Sequence, residues 1–144
     1  MRTYDFKKNK LIIGGLPIQG FADGTGINFS RQEDLFSDVS GADGEMSRAK
    51  SNNRSGMLTI TLSQTSPSND YLSFLHNQDE TNNTGIRAAL LKDFGGTSQV
   101  SSPAVYVKKF ADIELGKEIT GREWSILCAD TKVNVGGNAN AIIT

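Results

Sequence analysis

From Gly56 to Leu75 the chain reads GMLTITLSQTSPSNDYLSFL, and its first half alternates with period two. Leu58, Ile60 and Leu62 fall on one side; Thr59, Thr61 and Ser63 fall on the other. A period of two is the repeat of a pleated strand, and a one-residue slip would turn every leucine outward. Residues 57–64 are therefore predicted to be a strand with one buried face. Its other face carries no charge, although solvent-facing strand positions often hold Lys or Glu.

TSPSND then signals a helix start. Ser66 is placed to cap, Pro67 suits the first helical position because it has no N–H to leave unpaired, and Asp70 favours the positive helix end. Tyr71, Leu72, Phe74 and Leu75 follow at helical spacing, which predicts a short amphipathic helix over 67–77. Elsewhere the apolar runs are short. Residues 11–13, 16–19, 27–31, 35–39, 86–93, 104–115 and 122–135 read as strands, divided by Gly-rich or polar breaks. Residues 41–55 (GADGEMSRAKSNNRS) hold no sustained period and are predicted to be a long loop, a type of segment that is usually functional or mobile. Residues 78–85 read as a polar loop and 136–144 as a Gly/Asn-rich tail with a final apolar tag. Many short strands around one helix predict a mainly β subunit, barrel-like or sandwich-like, with that helix on its flank.

With 144 residues the chain has the length of one domain. Fifteen basic and 16 acidic residues leave a formal net charge of -1, which argues against a surface devoted to gripping phosphate backbones. The N-terminal stretch has a three-residue apolar run, short of a signal sequence, and no run approaches the ~20 apolar residues of a membrane helix. A soluble, cytoplasmically made protein without a membrane anchor is expected. The single cysteine, Cys128, lies in an apolar run and reads as a small buried hydrophobe.

Catalytic chemistry finds no anchor. One histidine, His76, excludes triads and metal sites built on several histidines, and at the predicted helix end it reads as a partner for the last carbonyls. The glycine-rich stretch GGLPIQGFADGTG lacks the Lys-Ser/Thr of a phosphate loop. The Asp/Gly clusters at residues 23–26 and 43–45 lack the EF-hand spacing and read as tight turns. Asp112 and Glu114, two apart on a predicted strand, would share a face, which is a geometry open to paired carboxylates, yet no other residue supports that use. The sequons at Asn28, Asn53 and Asn82 are chance matches without a secretion signal. No catalytic residue, metal ligand or cofactor is expected.

Two long blocks carry a resemblance: GFADGTGINFSRQEDLFSDVSGADGEMSRAKSNNRSGMLTITLSQTSPSNDYLSFL, and KKFADIELGKEITGREWSILCAD followed by NVGGN. Along nearly its whole length the chain resembles the tail tube (inner tube) proteins of contractile-tailed bacteriophages. That resemblance implies a subunit related in fold to the type VI secretion tube protein. It implies homo-hexameric rings that stack into a hollow tube inside a contractile sheath and conduct the genome. The implied partners are the sheath, tail terminator and baseplate proteins, with DNA passing through the lumen without specific binding. The implied location is the virion, after assembly in the host cytoplasm.

Within that frame Asp43, Glu45, Arg48, Lys50 and Arg54 of the 41–55 segment are the candidate inter-subunit or inter-ring contacts. Thr59, Thr61 and Ser63 are expected to face a neighbour or the lumen. Unpaired charges are costly to bury in an interface, and cations in a lumen would hold passing phosphates. Two alternatives remain at this level: the tube of a bacteriocin or secretion device, and a monomeric β-barrel that binds a small ligand. Against the second, the chain's 11 aromatic residues are scattered.

Overall fold

A computed structural model describes residues 4–24 and 26–137 of the chain. Thr25, within the predicted turn at 23–26, and the apolar tag of the tail lie outside the described residues. A single 3₁₀ turn, Phe6–Lys8, leads into the strands β1 (Asn9–Ile13), β2 (Leu16–Pro17), β3 (Ile27–Arg31), β4 (Phe36–Ser40), β5 (Met46–Lys50) and β6 (Gly56–Ser63). The helix α1 (Ser68–Asn82) follows, and then β7 (Arg87–Asp93), β8 (Gln99–Lys109), β9 (Gly121–Ala129) and β10 (Lys132–Asn134).

Eight strands form one antiparallel sheet in the order β2-β1-β7-β8-β9-β6-β3, with β10 also paired to β8. The strand path begins at β2 and ends at β3, so it is open. It nevertheless curls: Leu11 and Leu91 near one end of the path line the same small void as Phe29 and Leu58 near the other. The mainly β expectation with one helix is met, and the sheet is open and curled. Its inner face buries Leu11, Ile13, Leu58, Ile60, Leu62, Val105, Val107, Trp124, Ile126 and Cys128. In β6 burial follows the sequence alternation residue by residue.

The helix closes the core with Leu72 and Leu75, both buried, each contributing roughly 1.5–3 kcal/mol of burial. Three polar anchors fix it. Tyr71 donates its hydroxyl to the Ile13 carbonyl at 2.8 Å. Trp124 Nε1 donates to Asn69 Oδ1 at 2.9 Å. Asn69 Nδ2 donates to the Ser63 carbonyl at 2.9 Å. The helix starts one residue later than read: Pro67 is the N-cap residue, without a side-chain bond, and Ser66 just before it accepts at Oγ from the Ser68 N–H at 3.2 Å.

The helix runs past 77 to Asn82 and stops at Asn83, which adopts the left-handed conformation (φ 56). The last turns, QDETN, carry no apolar residue, so the apolar period ended before the helix did. His76 is consequently mid-helix, not at the helix end: Nδ1 lies 3.9 Å from Glu80 and the ring meets Phe110 edge-on at 5.4 Å.

Other boundaries move for identifiable reasons. Residues 101–103 (SSP), which fell between two predicted strands, lie inside β8, and the ladder with β7 shifts register between Arg87 and Ala89, opposite Pro103. Proline donates no N–H and is tolerated at such a bulge. At its other end β8 stops at Lys109, leaving residues 110–120 without a strand. Asp112 and Glu114 are therefore not on a strand; both are exposed, and Asp112 pairs with Lys109 at 3.7 Å. The run 122–135 is two strands that keep one register along β8, Ala129 opposite Ala104 and Lys132 opposite Ser101. Between them Asp130 takes φ 48 and Thr131 turns fully inward. β2 is confined to Leu16–Pro17, and the 35–39 strand is Phe36–Ser40.

Candidate assembly surfaces

The largest departure from the sequence reading is at residues 41–55. The long loop holds β5, which pairs with β4 as a separate two-stranded sheet. The turn fits the hairpin: Gly44 donates its N–H to the Gly41 carbonyl at 3.0 Å and takes φ 85, and Asp43 Oδ1 accepts from the Glu45 N–H at 3.1 Å. A left-handed glycine after a tight turn gives the twist that adjoining strands need. The apolar content of β4 and β5 is too low to show as a period.

Every residue of the two strands except Phe36 is exposed, Val39 at 61% and Met46 at 69%. The hairpin is thus an arm standing off the main sheet. Directly opposed residues share a face. Phe36 opposes Lys50, Asp38 opposes Arg48 and Ser40 opposes Met46 on one face; Ser37, Ala49, Val39 and Ser47 make the other, which is uncharged. Arg48 lies over the Phe36 ring, 4.1 Å from its centroid. The structure thus brings Asp43, Glu45, Arg48 and Lys50 onto one arm. Arg54 stands at its root, where the main-chain carbonyl carries a structural load described below.

At the root, the Gln32 N–H donates to the Ser55 carbonyl at 3.1 Å, and Ser51 Oγ donates to Glu33 Oε2 at 2.8 Å. Beneath them Thr131 accepts at Oγ1 from Arg31 Nε (3.2 Å) and donates to the Arg54 carbonyl (2.6 Å). No sequence pattern marks this contact, because the residues lie up to 100 positions apart.

Thr59, Thr61 and Ser63 lie on the outer face of β6 and are partly buried. Thr59 is opposite Asn28 of β3 and Ser125 of β9, Thr61 is opposite Glu123, and Ser63 is opposite Gly121. The hydroxyl-rich patch therefore continues across three strands, and Glu123 is the charged residue among these positions.

Three further surfaces have no counterpart in the sequence reading. Residues 110–120 expose Phe110 (52%), Ile113 (71%), Leu115 (82%) and Ile119 (69%). A groove of about 700 Å³ runs beside β1 and β2. An apolar cleft of about 400 Å³, lined by Phe6, Ile27, Phe29, Leu91, Val100 and Val133, lies where β3 comes near β7 and β8.

Among the described residues no group of three or more His, Cys, Asp or Glu is arranged to hold a metal ion. Cys128 is buried, and burial pushes its thiol up from 9.0 to about 11, which keeps it protonated and unreactive at neutral pH. Among the described residues no helix is long and apolar enough to cross a membrane.

Comparison with known proteins bears on what these surfaces serve. Residues 14–136 match the family described as bacteriophage PhiTE tail tube protein. The chain is similar to Structural protein ORF10 of Pseudomonas phage KPP10, 31% identical over 123 residues, covering 84% of this chain and 71% of that protein. In fold it is similar to the sheath/tube terminator of an extracellular contractile injection system, PVC, in the extended state (TM-score 0.63, 11% identity, 94% of this chain and 99% of that one). It is likewise similar to a chain of the PVC sheath–tube complex (TM-score 0.56, 12% identity, 92% and 91%) and to the anti-feeding prophage tube-terminating cap (TM-score 0.61, 9% identity, 93% and 92%).

Proposed function

Because the chain belongs to the bacteriophage PhiTE tail tube protein family, we propose that it works as a single tube domain. In this reading six copies close into a ring, rings stack into a hollow tube inside a contractile sheath, and the genome passes through the lumen. The observation that carries the reading is the uncharged outer face of β6, continued by Asn28 and Ser125 on its neighbours. A surface of hydroxyls and amides suits a wall along which DNA slides, because β6 itself offers no cation to trap phosphates; the cation at the margin of the patch, Lys109 of β8 opposite Ser125, lies 3.7 Å from Asp112. Thr59, Thr61 and Ser63 accordingly face the lumen.

The exposed arm supports stacking. A two-stranded hairpin with Val39 and Met46 in water gains by burying them, and an open sheet gains by covering its edge strands. Arg48, Lys50, Asp43 and Glu45 then set register against the next ring. Tail sheath, terminator and baseplate proteins are the remaining partners, and the virion is the site of action. Fold likeness to proteins of sheath and tube assemblies supports the contractile setting. Negative-stain microscopy of the purified protein tests the reading. Rings or hollow tubes of uniform width are expected; a persistent monomer at high concentration would overturn it.

A further inference from the structure

The groove beside β1 and β2 and the unpaired 110–120 segment are complementary in charge and polarity. Phe6, Pro17, Ile18 and Phe21 give the groove an apolar lining, with Phe6 and Phe21 meeting edge to face at 5.7 Å. Lys7 and Lys10 flank it, and none of its lining residues is acidic. The segment presents the opposite character. Asp112, Glu114 and Glu118 outnumber Lys117, and Ile113 and Leu115 alternate with the acids while standing 71% and 82% exposed. Alternation of that kind is written for an extended chain with one apolar side. Among the described residues, however, the segment belongs to no ladder.

We propose that residues 111–119 of one copy dock in the Phe6/Pro17/Ile18/Phe21 groove of the next copy. Ile113 and Leu115 enter the apolar lining, and Glu114 lies between Lys7 and Lys10. The contact rests on the ring reading above and names the surfaces that make it. Groove and segment are different patches, so each copy both gives and receives, which is the heterologous arrangement a closed ring requires. Their places in the sheet suit this: β8, which leads into the segment, is central in the strand order, and β2 and β1 are at one end of it. Desolvating two large aliphatic side chains supplies affinity, and the Glu114–lysine contacts supply register.

Charge reversal tests the proposal. The pair Asp112→Lys with Glu114→Lys alters the segment; the pair Lys7→Glu with Lys10→Glu alters the groove. All four positions are exposed, so each variant is expected to keep the wild-type circular dichroism and melting curve. Each alone is expected to weaken ring assembly about tenfold or more. Mixing the two variants in equal amounts is expected to restore rings, since each segment then meets a groove of opposite sign. Reversals that assemble like wild type, or a mixture that stays unassembled, would overturn the docking alone; a wild-type protein that never forms rings would overturn the ring reading with it. A second measurement reads the contact directly, without reversing charge. Lys10→Cys chains mixed with Glu114→Cys chains should give a disulfide-linked dimer on mild oxidation, because Cys128 is buried; absence of that dimer in assembled rings also overturns the proposal.

Discussion

Arg31 and Thr131 are joined twice: the guanidinium Nε donates to Thr131 Oγ1 at 3.2 Å, and Nη2 donates to the Thr131 carbonyl at 2.8 Å. Thr131 in turn gives its N–H (3.0 Å) and its hydroxyl (2.6 Å) to the carbonyl of Arg54. Thr131 is fully buried. Replacing it with Val keeps the shape and removes the hydroxyl, leaving Arg31 Nε without its acceptor. The expected loss is about 0.5–1.5 kcal/mol in urea denaturation, the net worth of a part-buried hydrogen bond, since the Arg54 carbonyl keeps the Thr131 N–H. Thr131→Ser should retain most of the stability, and equal losses for the two variants would contradict the hydrogen-bond account.

Asn69 is the polar hub under the helix start, accepting from Trp124 Nε1 and donating to the carbonyls of Ser63 (2.9 Å) and Ser66 (3.1 Å). Asn69→Leu strands Trp124 Nε1, while the two carbonyls keep backbone donors in the N–H groups of Ser66 and of residue 69, and a destabilisation of about 1–3 kcal/mol is expected. Trp124 is the only tryptophan in the chain, so its fluorescence reports this site directly. A Leu variant that melts like wild type would show that water replaces the amide.

Burial holds the Cys128 thiol near 11 against its ordinary 9.0. The folded state thus keeps its proton where the unfolded chain has lost it. This group's contribution is fully present below pH 9.0 and is lost as pH rises through about 11. Cys128→Ala is expected to flatten the alkaline fall in stability between those values, measured by thermal melts across the range. Thiol reagents at pH 8 should modify the folded protein only at the rate of unfolding.

Thr59→Lys with Thr61→Lys puts two cations on the face proposed to line the lumen. Assembly should fail, or DNA release should slow at low salt and recover at high salt, since phosphate contacts are screened. Wild-type assembly and infectivity would refute the placement.

Replacing Arg48, Lys50 and Arg54 with Ser removes the cations of the arm and its root while sparing the Arg54 carbonyl. Subunit stability should change by under ~0.5 kcal/mol, as for exposed sites, and tubes seen by electron microscopy should be shorter or less stable. Normal tube length would remove these side chains from the stacking contact.

What the sequence made legible follows the strength of its periods. Leu58, Ile60 and Leu62 alternate so regularly that strand and buried face were both readable, and Tyr71 to Leu75 declared the helix. Where burial is absent, periodicity has nothing to report. Gln78 to Asn82 are helical without an apolar residue, and Met46 to Lys50 form a strand whose residues are all exposed. Residues 110–115 err the other way, since Ile113 and Leu115 alternate like a strand but find no ladder within the subunit. The candidate contacts were half legible. Charge singled out Arg48 and Lys50, but their common face with Phe36 depends on pairing with β4, and the grip of Arg31 on Thr131 is a tertiary event.

The break between β9 and β10 has a mechanical consequence. Both roots of the arm, Arg31 on one side and Arg54 on the other, are pinned to Thr131, and the strands on either side of Thr131 run in one register along central β8. A pull on the arm is therefore shared with the middle of the sheet instead of peeling β3 from its edge.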